Sequence, residues 1–326
     1  MLKKTVRSII CALTAFWVAT ATGASRYPDR AITMVVPFAI GGPSDTIARI
    51  LAQTMSKSLG QQIIVKNVGG AGGTVGTAQV AQSAPDGYTL LAHNIGHAAA
   101  LALYRELSYD PLRDFQPIGL INDVALTFVS RKDLPVRDFK AYLDYVKAGK
   151  DKINMANAGV GSASHLCDLL FQEAIQTKVT TVPYNGTGPA MNDMLGGMVD
   201  IMCDQSTNTA SHIEAGEISV FAVTLPRRLA SMPEVPTANE AGLPGFTMSV
   251  WHGLYAPAGT PAPIVETLVK ALQDALQDAS LKQRYAKLGA ETASRELATP
   301  EALDAHLKSE TGRWESIIEK AGAYLN

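Results

Sequence analysis

Short apolar runs alternate with helical patterns along most of this chain, and no other feature narrows the fold as much. Residues 32–36 read as a buried strand, followed by a Gly- and Pro-containing loop over 37–45. A helix then carries Ile47, Ile50, Leu51 and Met55 on one face. Short strands are expected at 63–65 and 88–91, separated by a Gly-rich link and a helical 78–81 stretch, with Asp86-Gly87 as a turn. The middle repeats the pattern. Strands are expected at 124–129, 153–156, 179–182, 199–203 and 220–223. Helices are expected over 136–148, around Leu166, Leu169 and Leu170, and from Thr187 and Pro189 to Gly196-Gly197. The C-terminal part is mainly helical: Thr260-Pro261 opens one amphipathic helix and Thr299-Pro300-Glu301 another. The pattern predicts an α/β fold with mainly parallel sheets and helices on both faces. Ligands of such sheets bind beyond the carboxyl ends of strands, where loops feed helix N-termini. That points to the loops 37–45, 92–98, 157–165 and 183–189.

The first residues read as a secretory signal peptide over 1–24. Lys3, Lys4 and Arg7 form a basic start, an apolar run follows, and small residues at Ala19, Ala21, Gly23 and Ala24 offer cleavage points. The apolar run is too short to span a bilayer. Cys11 lies inside that run behind bulky Ile10, which argues against a lipoprotein. Roughly 300 residues remain, enough for two domains with their own cores. Losing those three cations takes the formal net charge from −2 to −5, which argues against nucleic acid as a partner. A ligand anion would have to be held by local donors. Only Cys167 and Cys203 survive processing; an oxidising compartment permits a disulfide, and two buried thiols is the reading favoured here.

Rival chemistries fail on spacing. The run Gly69-Gly70-Ala71-Gly72-Gly73-Thr74-Val75-Gly76 breaks the dinucleotide pattern, with valine where the third glycine belongs, and no Walker lysine follows. A plain flexible connection is the simpler expectation. Ser162, Ser164, His165 and Asp168 are close in sequence, but G-x-S-x-G is absent and one helical turn does not match a hydrolase triad. His93 and His97 lack a third metal ligand. What the four loops share is small residues and neutral donors ahead of helices, with no Arg or Lys in any of them. Free N–H groups at helix starts, with hydroxyls beside them, suit a carboxylate better than a polyphosphate.

These residues resemble a known family, the Bug receptors of tripartite tricarboxylate transporters, over the whole chain after the leader. The marks are Val36-Pro37-Phe38 with Gly41-Gly42-Pro43 and Asp45; Ala84-Pro85-Asp86-Gly87-Tyr88; Gly161-Ser162-Ala163-Ser164-His165; Val182-Pro183-Tyr184-Asn185-Gly186 with Gly188-Pro189; Leu195-Gly196-Gly197 with Val199-Asp200; and Pro233-Glu234-Val235-Pro236-Thr237. The resemblance implies a two-lobed, type II periplasmic-binding-protein (Venus-flytrap) fold. Lobe 1 would be 25–122 plus 246–326, and lobe 2 would be 123–245. It also implies a small carboxylate ligand (a dicarboxylate, an amino acid or an aromatic acid), bound partly through waters to the first loop and gripped by the helix start at Ser162 to His165 and the loop from Tyr184 to Gly188. Loops and resemblance together nominate as ligand contacts Phe38, Gly42, Pro43, Ser44, Asp45, His93, Asn94 and His97 in lobe 1. In lobe 2 they nominate Ala158, Gly161, Ser162, Ser164, His165, Tyr184, Thr187 and Asp204. The implied partners are membrane transporter subunits; no metal or cofactor is expected, and the receptor is expected to act as a monomer. An α/β hydrolase-like enzyme and a ligand-sensing partner of a membrane kinase are the competing readings.

Overall fold

Buried apolar strands open the chain in the computed structural model, which describes residues 27–323; the expected leader lies outside the described residues. β1 (Ile32–Val36) leads through the first loop into α1 (Pro43–Leu59), whose Pro43 sits in the first turn where its missing N–H costs nothing. β2 (Ile63–Asn67), α2 (Thr74–Ala81), β3 (Thr89–Asn94) and α3 (Gly96–Leu103) follow. β1 pairs in parallel with β2 on one side and β3 on the other. β4 (Phe115–Arg131) is the longest strand.

The second set is α4 (Phe139–Gly149), β5 (Asn154–Asn157), α5 (Ala163–Ile175), β6 (Thr180–Pro183), α6 (Thr187–Leu195), β7 (Ile201–Gln205), α7 (Ser206–Glu214) and β8 (Ile218–Val223). β5 pairs in parallel with β6 and β7. The chain then returns through β9 (Ser249–Pro257), α8 (Ala262–Gln277), α9 (Ala279–Lys287), β10 (Ala290–Thr292) and α10 (Pro300–Ala321). α8 and α9 pack on α1, and α10 on α3 and β4, so both chain ends build the first lobe. The Tyr285 hydroxyl donates to the Ile47 carbonyl at 2.9 Å across that seam.

The fold class is the expected two-lobed α/β one, with a more mixed sheet than the alternation predicts. Parallel pairings flank each lobe, whereas β4 and β9 pair antiparallel with each other and with their neighbours. The reason is that β4 serves both lobes: it pairs with β9 up to Ala125 and with β7 from Leu126. Thr224 ties the crossing together. Its hydroxyl accepts from the Leu126 N–H at 3.0 Å and donates to the Met248 carbonyl at 2.6 Å. The expected strand at 124–129 is only the second half of β4. Pro117 and Gly119 sit at a register shift in the first half, which hides the two-residue period.

Cys167 on α5 and Cys203 on β7 are joined as a disulfide, with Cα atoms 6.1 Å apart, so the favoured reading of two free thiols is corrected. The two cysteines sit in different elements that meet only because α5 packs on β7. Their spacing of 36 residues says nothing of that by itself.

Candidate functional site

Four loops converge between the lobes. They enclose an inner cavity of ≈ 40 Å³ lined from lobe 1 by Phe38, Gly42, Pro43, Ser44 and Asn94. Lobe 2 contributes Ala158, Ser162, Ser164, Thr187, Asp204 and Gln205. An outer cavity of ≈ 430 Å³ shares Phe38, Ala39, Ala158 and Gly186 with it and adds the Gly69–Gly73 run, Tyr104 and Tyr184. The two are one cleft. No Arg or Lys is among the residues lining either cavity.

Four helices, α1, α5, α6 and α7, start at this cleft, and the amides of a first helical turn lack intrahelical partners. Side chains add donors whose directions can be worked out. The Asn122 Oδ1 accepts from His252 Nδ1, so the neutral ring presents a bare Nε2 to Ser44 Oγ, 3.0 Å away. Ser44 therefore points its proton at His252, and its oxygen accepts from Asn94 Nδ2 at 3.2 Å. Asn94 Oδ1 is taken by the Gly96 N–H, which leaves the second amide hydrogen of Asn94 for a ligand. Across the cleft, Ser162 Oγ accepts from the His165 N–H and Ser164 Oγ from the Ala158 N–H. The two hydroxyls lie 3.1 Å apart and can share only one of their two protons, so the other is free. Thr187 Oγ1 is buried with no partner among the described residues.

Five nominated residues, Asp45, His93, His97, Gly161 and His165, are not among those lining either cavity. Asp45 turns back on its own loop, accepting from the Gly41 N–H, Arg49 and Asn67 at 2.9 Å each. Burial alone would raise its carboxyl, but these donors outweigh burial and hold it below its ordinary range. It braces the first loop. His93 precedes Asn94 on β3, and neighbours on a strand face opposite ways, so the ring that backs the cleft packs on Phe38 and His97. His97 is deeper still, among Tyr109, Phe115 and Tyr255. Gly161 shapes the loop, and His165 uses Nδ1 to accept the Gly161 N–H at 3.3 Å while its ring faces an outer groove. Tyr184 borders the outer cavity, but its hydroxyl donates to Asp193 at 2.6 Å. Serine, histidine and aspartate thus form no catalytic triad: Asp168 is paired with Asn157, away from His165. Among the described residues no cluster of His, Cys, Asp or Glu could hold a metal ion.

Sequence reasoning missed His252 and Asn122, which orient Ser44 from far along the chain, and it took the Gly-rich run for a plain connection. That run is a wall of the cleft. Gly72 comes so close to lobe 2 that a Cβ there would lie 2.2 Å from the Val160 carbonyl oxygen. The Tyr104 hydroxyl bridges the same seam, within 2.8 Å of the Ala71 carbonyl and 3.2 Å of the Val160 carbonyl. The lobes are closed.

Burial also fixes the charge states. It pushes His97 and His252 down to about 3 and His93 well below its usual value, the charges of His97 and His252 adding to the effect on His93. Burial pushes Asp204 up to about 7 and Asp168 well above the carboxylate range, the latter reinforced by Asp204 and only partly offset by Asn157. Below about pH 6.5 an unfolded chain protonates four histidines that burial keeps neutral in the native state, His165 (lowered to about 4) with the other three, which destabilises the fold. The two aspartic acids act oppositely, since the native state takes their protons first. Four histidines against two aspartic acids leave a net loss of stability as the pH falls from about 6.5 to 4.5. Thermal melts across that window should show a falling Tm, and a Tm that climbs on acidification would contradict these buried neutral rings.

Two α/β lobes joined by crossing strands, closed on a donor-lined cleft, define a two-lobed solute-binding protein of the periplasmic type. A family model described as the tripartite tricarboxylate transporter family receptor matches residues 47–323. The chain belongs to that family. Its relatives include an Agrobacterium vitis protein from the TAR-I ttuE-ttuC' intergenic region, 48% identical over 306 residues, covering 94% of this chain and 88% of the relative. The protein BugT of Bordetella pertussis is 35% identical over 310 residues, 94% of each chain. Among solved structures, the periplasmic binding protein BugD superimposes with a TM-score of 0.89 at 47% identity, covering 92% of this chain and all of BugD. MatC from Rhodopseudomonas palustris, solved with bound malate, superimposes at 0.86 with 41% identity, over 90% of this chain and all of MatC. The protein is a periplasmic-type solute-binding protein, not an enzyme. Among the described residues, no helix is long and apolar enough to cross a membrane.

Proposed function

We propose that this protein captures a small carboxylate between its lobes and presents it to the membrane subunits of a tripartite tricarboxylate-type transporter, after export by the leader over 1–24. The observation that carries this reading is the convergence of helix starts and hydroxyls from both lobes on a cleft without Arg or Lys. Such donors recognise a carboxylate by directed hydrogen bonds. Two relatives support the ligand class: MatC, solved with malate, and a second R. palustris protein, solved with adipate. The lobes are 25–122 with 246–326, and 123–245. One chain supplies every wall of the cleft, so the receptor acts as a monomer.

Native mass spectrometry of gently purified protein, followed by denaturation and identification of the released molecule, tests this directly. A released carboxylic acid that rebinds in calorimetric titration is the expected result; a ligand without a carboxyl group ends the proposal. Ser162→Ala removes one hydroxyl donor and the cap of α5. A hydrogen bond to a charged group contributes roughly 1.5–3 kcal/mol, so affinity should fall about ten- to a hundredfold. The fold should lose only about 1 kcal/mol with the cap. Unchanged affinity would mean that the α5 terminus does not hold the ligand.

A further inference from the structure

Asp168 is fully buried on α5 and lines neither cavity of the cleft. Its Oδ2 accepts from Asn157 Nδ2 at 2.9 Å. Asn157 ends β5 and is itself buried, at the point where two cleft loops meet. Its side-chain Oδ1 accepts the Gly159 N–H at 3.0 Å, and its main-chain carbonyl accepts the Tyr184 N–H at 2.9 Å. One residue thus ties the loop after β5 to the loop after β6, and both loops line the cleft. The two ends of an asparagine amide have nearly the same shape, so only its partners decide which way round it sits. The Asp168 acceptor makes that choice. An amide turned end for end would set Nδ2 against the Gly159 N–H, donor facing donor.

We infer that Asp168 is a positioning residue for the cleft, fixing Asn157 and through it the two lobe 2 loops that line the binding site. This rests on the carboxylate reading for the ligand, whereas the loop geometry belongs to the protein alone. Asp168 acts as a neutral acid. Its Oδ1 is buried with no partner among the described residues. The titratable groups that face it, Asp204 on β7 and Tyr142 on α4, supply no positive charge. A carboxylate there would be buried with one amide for company, whereas the acid keeps the acceptor at Oδ2 and carries its proton on Oδ1.

Two substitutions separate these roles. Asp168→Asn keeps an acceptor for Asn157 without a charge; Asp168→Leu removes it. Hydrogen exchange of the unliganded protein, followed by NMR, reads the loops directly. The Gly159 and Tyr184 amides should exchange about tenfold faster in Asp168→Leu and at the wild-type rate in Asp168→Asn, with β1 and β3 unchanged in both. Calorimetric titration with malate and adipate, the acids bound by two relatives, reads the site. The leucine variant should bind about tenfold more weakly and the asparagine variant within about twofold of wild type. In thermal melts, an unfolded chain releases the Asp168 proton above about pH 4 while native wild type holds it, so Asp168→Asn should gain Tm over wild type as the pH rises from about 4 to 7. Wild-type exchange and affinity in Asp168→Leu would overturn the inference. An Asp168→Asn variant whose loops loosen, or whose Tm falls relative to wild type as the pH rises, overturns it as well, whether or not the leucine variant folds. The exchange and melting arms need no ligand, so wild type that binds no carboxylate would remove that reading and leave them to decide this one.

Discussion

A methyl group added at Gly72 should abolish tight ligand capture while leaving both lobes folded. The Cβ of Gly72→Ala would sit 2.2 Å from the Val160 carbonyl oxygen, more than an ångström inside contact distance, and 2.7 Å from the Tyr104 hydroxyl. Tyr104 can swing away, but the Val160 carbonyl is backbone and belongs to the other lobe. The clash is relieved only by opening the cleft. A ligand then meets the donors of one lobe at a time. Forfeiting two charge-assisted hydrogen bonds at about 2 kcal/mol each lowers affinity roughly a thousandfold. Gly72 also has φ +62°, so alanine there costs roughly 1–2 kcal/mol in either state and lowers Tm by a few degrees. Gly60→Ala is the matched control, with φ +67° and nothing within 4 Å of its added Cβ. It should carry the same strain and bind normally. Titration with the ligand recovered from wild type, together with small-angle scattering, reads both effects. Wild type should contract on binding and the Gly72 variant should not. Affinity within tenfold of wild type would refute the view of this seam as the closing contact.

Removing the Cys167–Cys203 bridge should cost lobe 2 about 4 kcal/mol. The bridge spans 36 residues, and it holds α5 onto β7 under the floor of the cleft. In the chain-entropy model a loop of that length, once freed in the unfolded state, is worth roughly 4 kcal/mol. A double Cys→Ala variant should therefore melt about 10 °C lower. Both cysteines are fully buried, so reductant alone should act slowly on the native protein and quickly on the unfolded one. Thiol titration of denatured, unreduced protein should find no free thiol. Two titratable thiols, with wild-type and variant melting alike, would return the pair to the unbonded state. Because Asp204 follows Cys203 directly, the variant should also bind its ligand less tightly as the floor loosens.

Much of the fold was legible because its signals are local. The alternation of apolar strands and amphipathic helices located every element through β8 except α3, α7 and the first half of β4, with boundaries off by a few residues. The exceptions have physical causes. Pro117 and Gly119 break the strand period of β4, and the pairing of β9 with both β3 and β4 joins segments more than a hundred residues apart. The loops that face the cleft were also readable, since helix starts beyond strand ends are the places where amides are left free. Ser44, Asn94, Ser162, Ser164 and Thr187 lie in those loops and all line the cavity.

Direction was not readable. His93 and His97 lie in the right loop and still face away, because one step along a strand reverses a side chain and a helical turn carries His97 into an aromatic nest. Nor could composition say that Cys167 would meet Cys203, that His252 would aim Ser44, or that a Gly-rich link would become a cleft wall. Local propensity and spacing determined most of the elements and the chemistry of the loops, and the order of the lobes came from the family resemblance. Only the tertiary structure decided which atoms face the ligand, since that depends on the packing of segments that share no sequence neighbourhood.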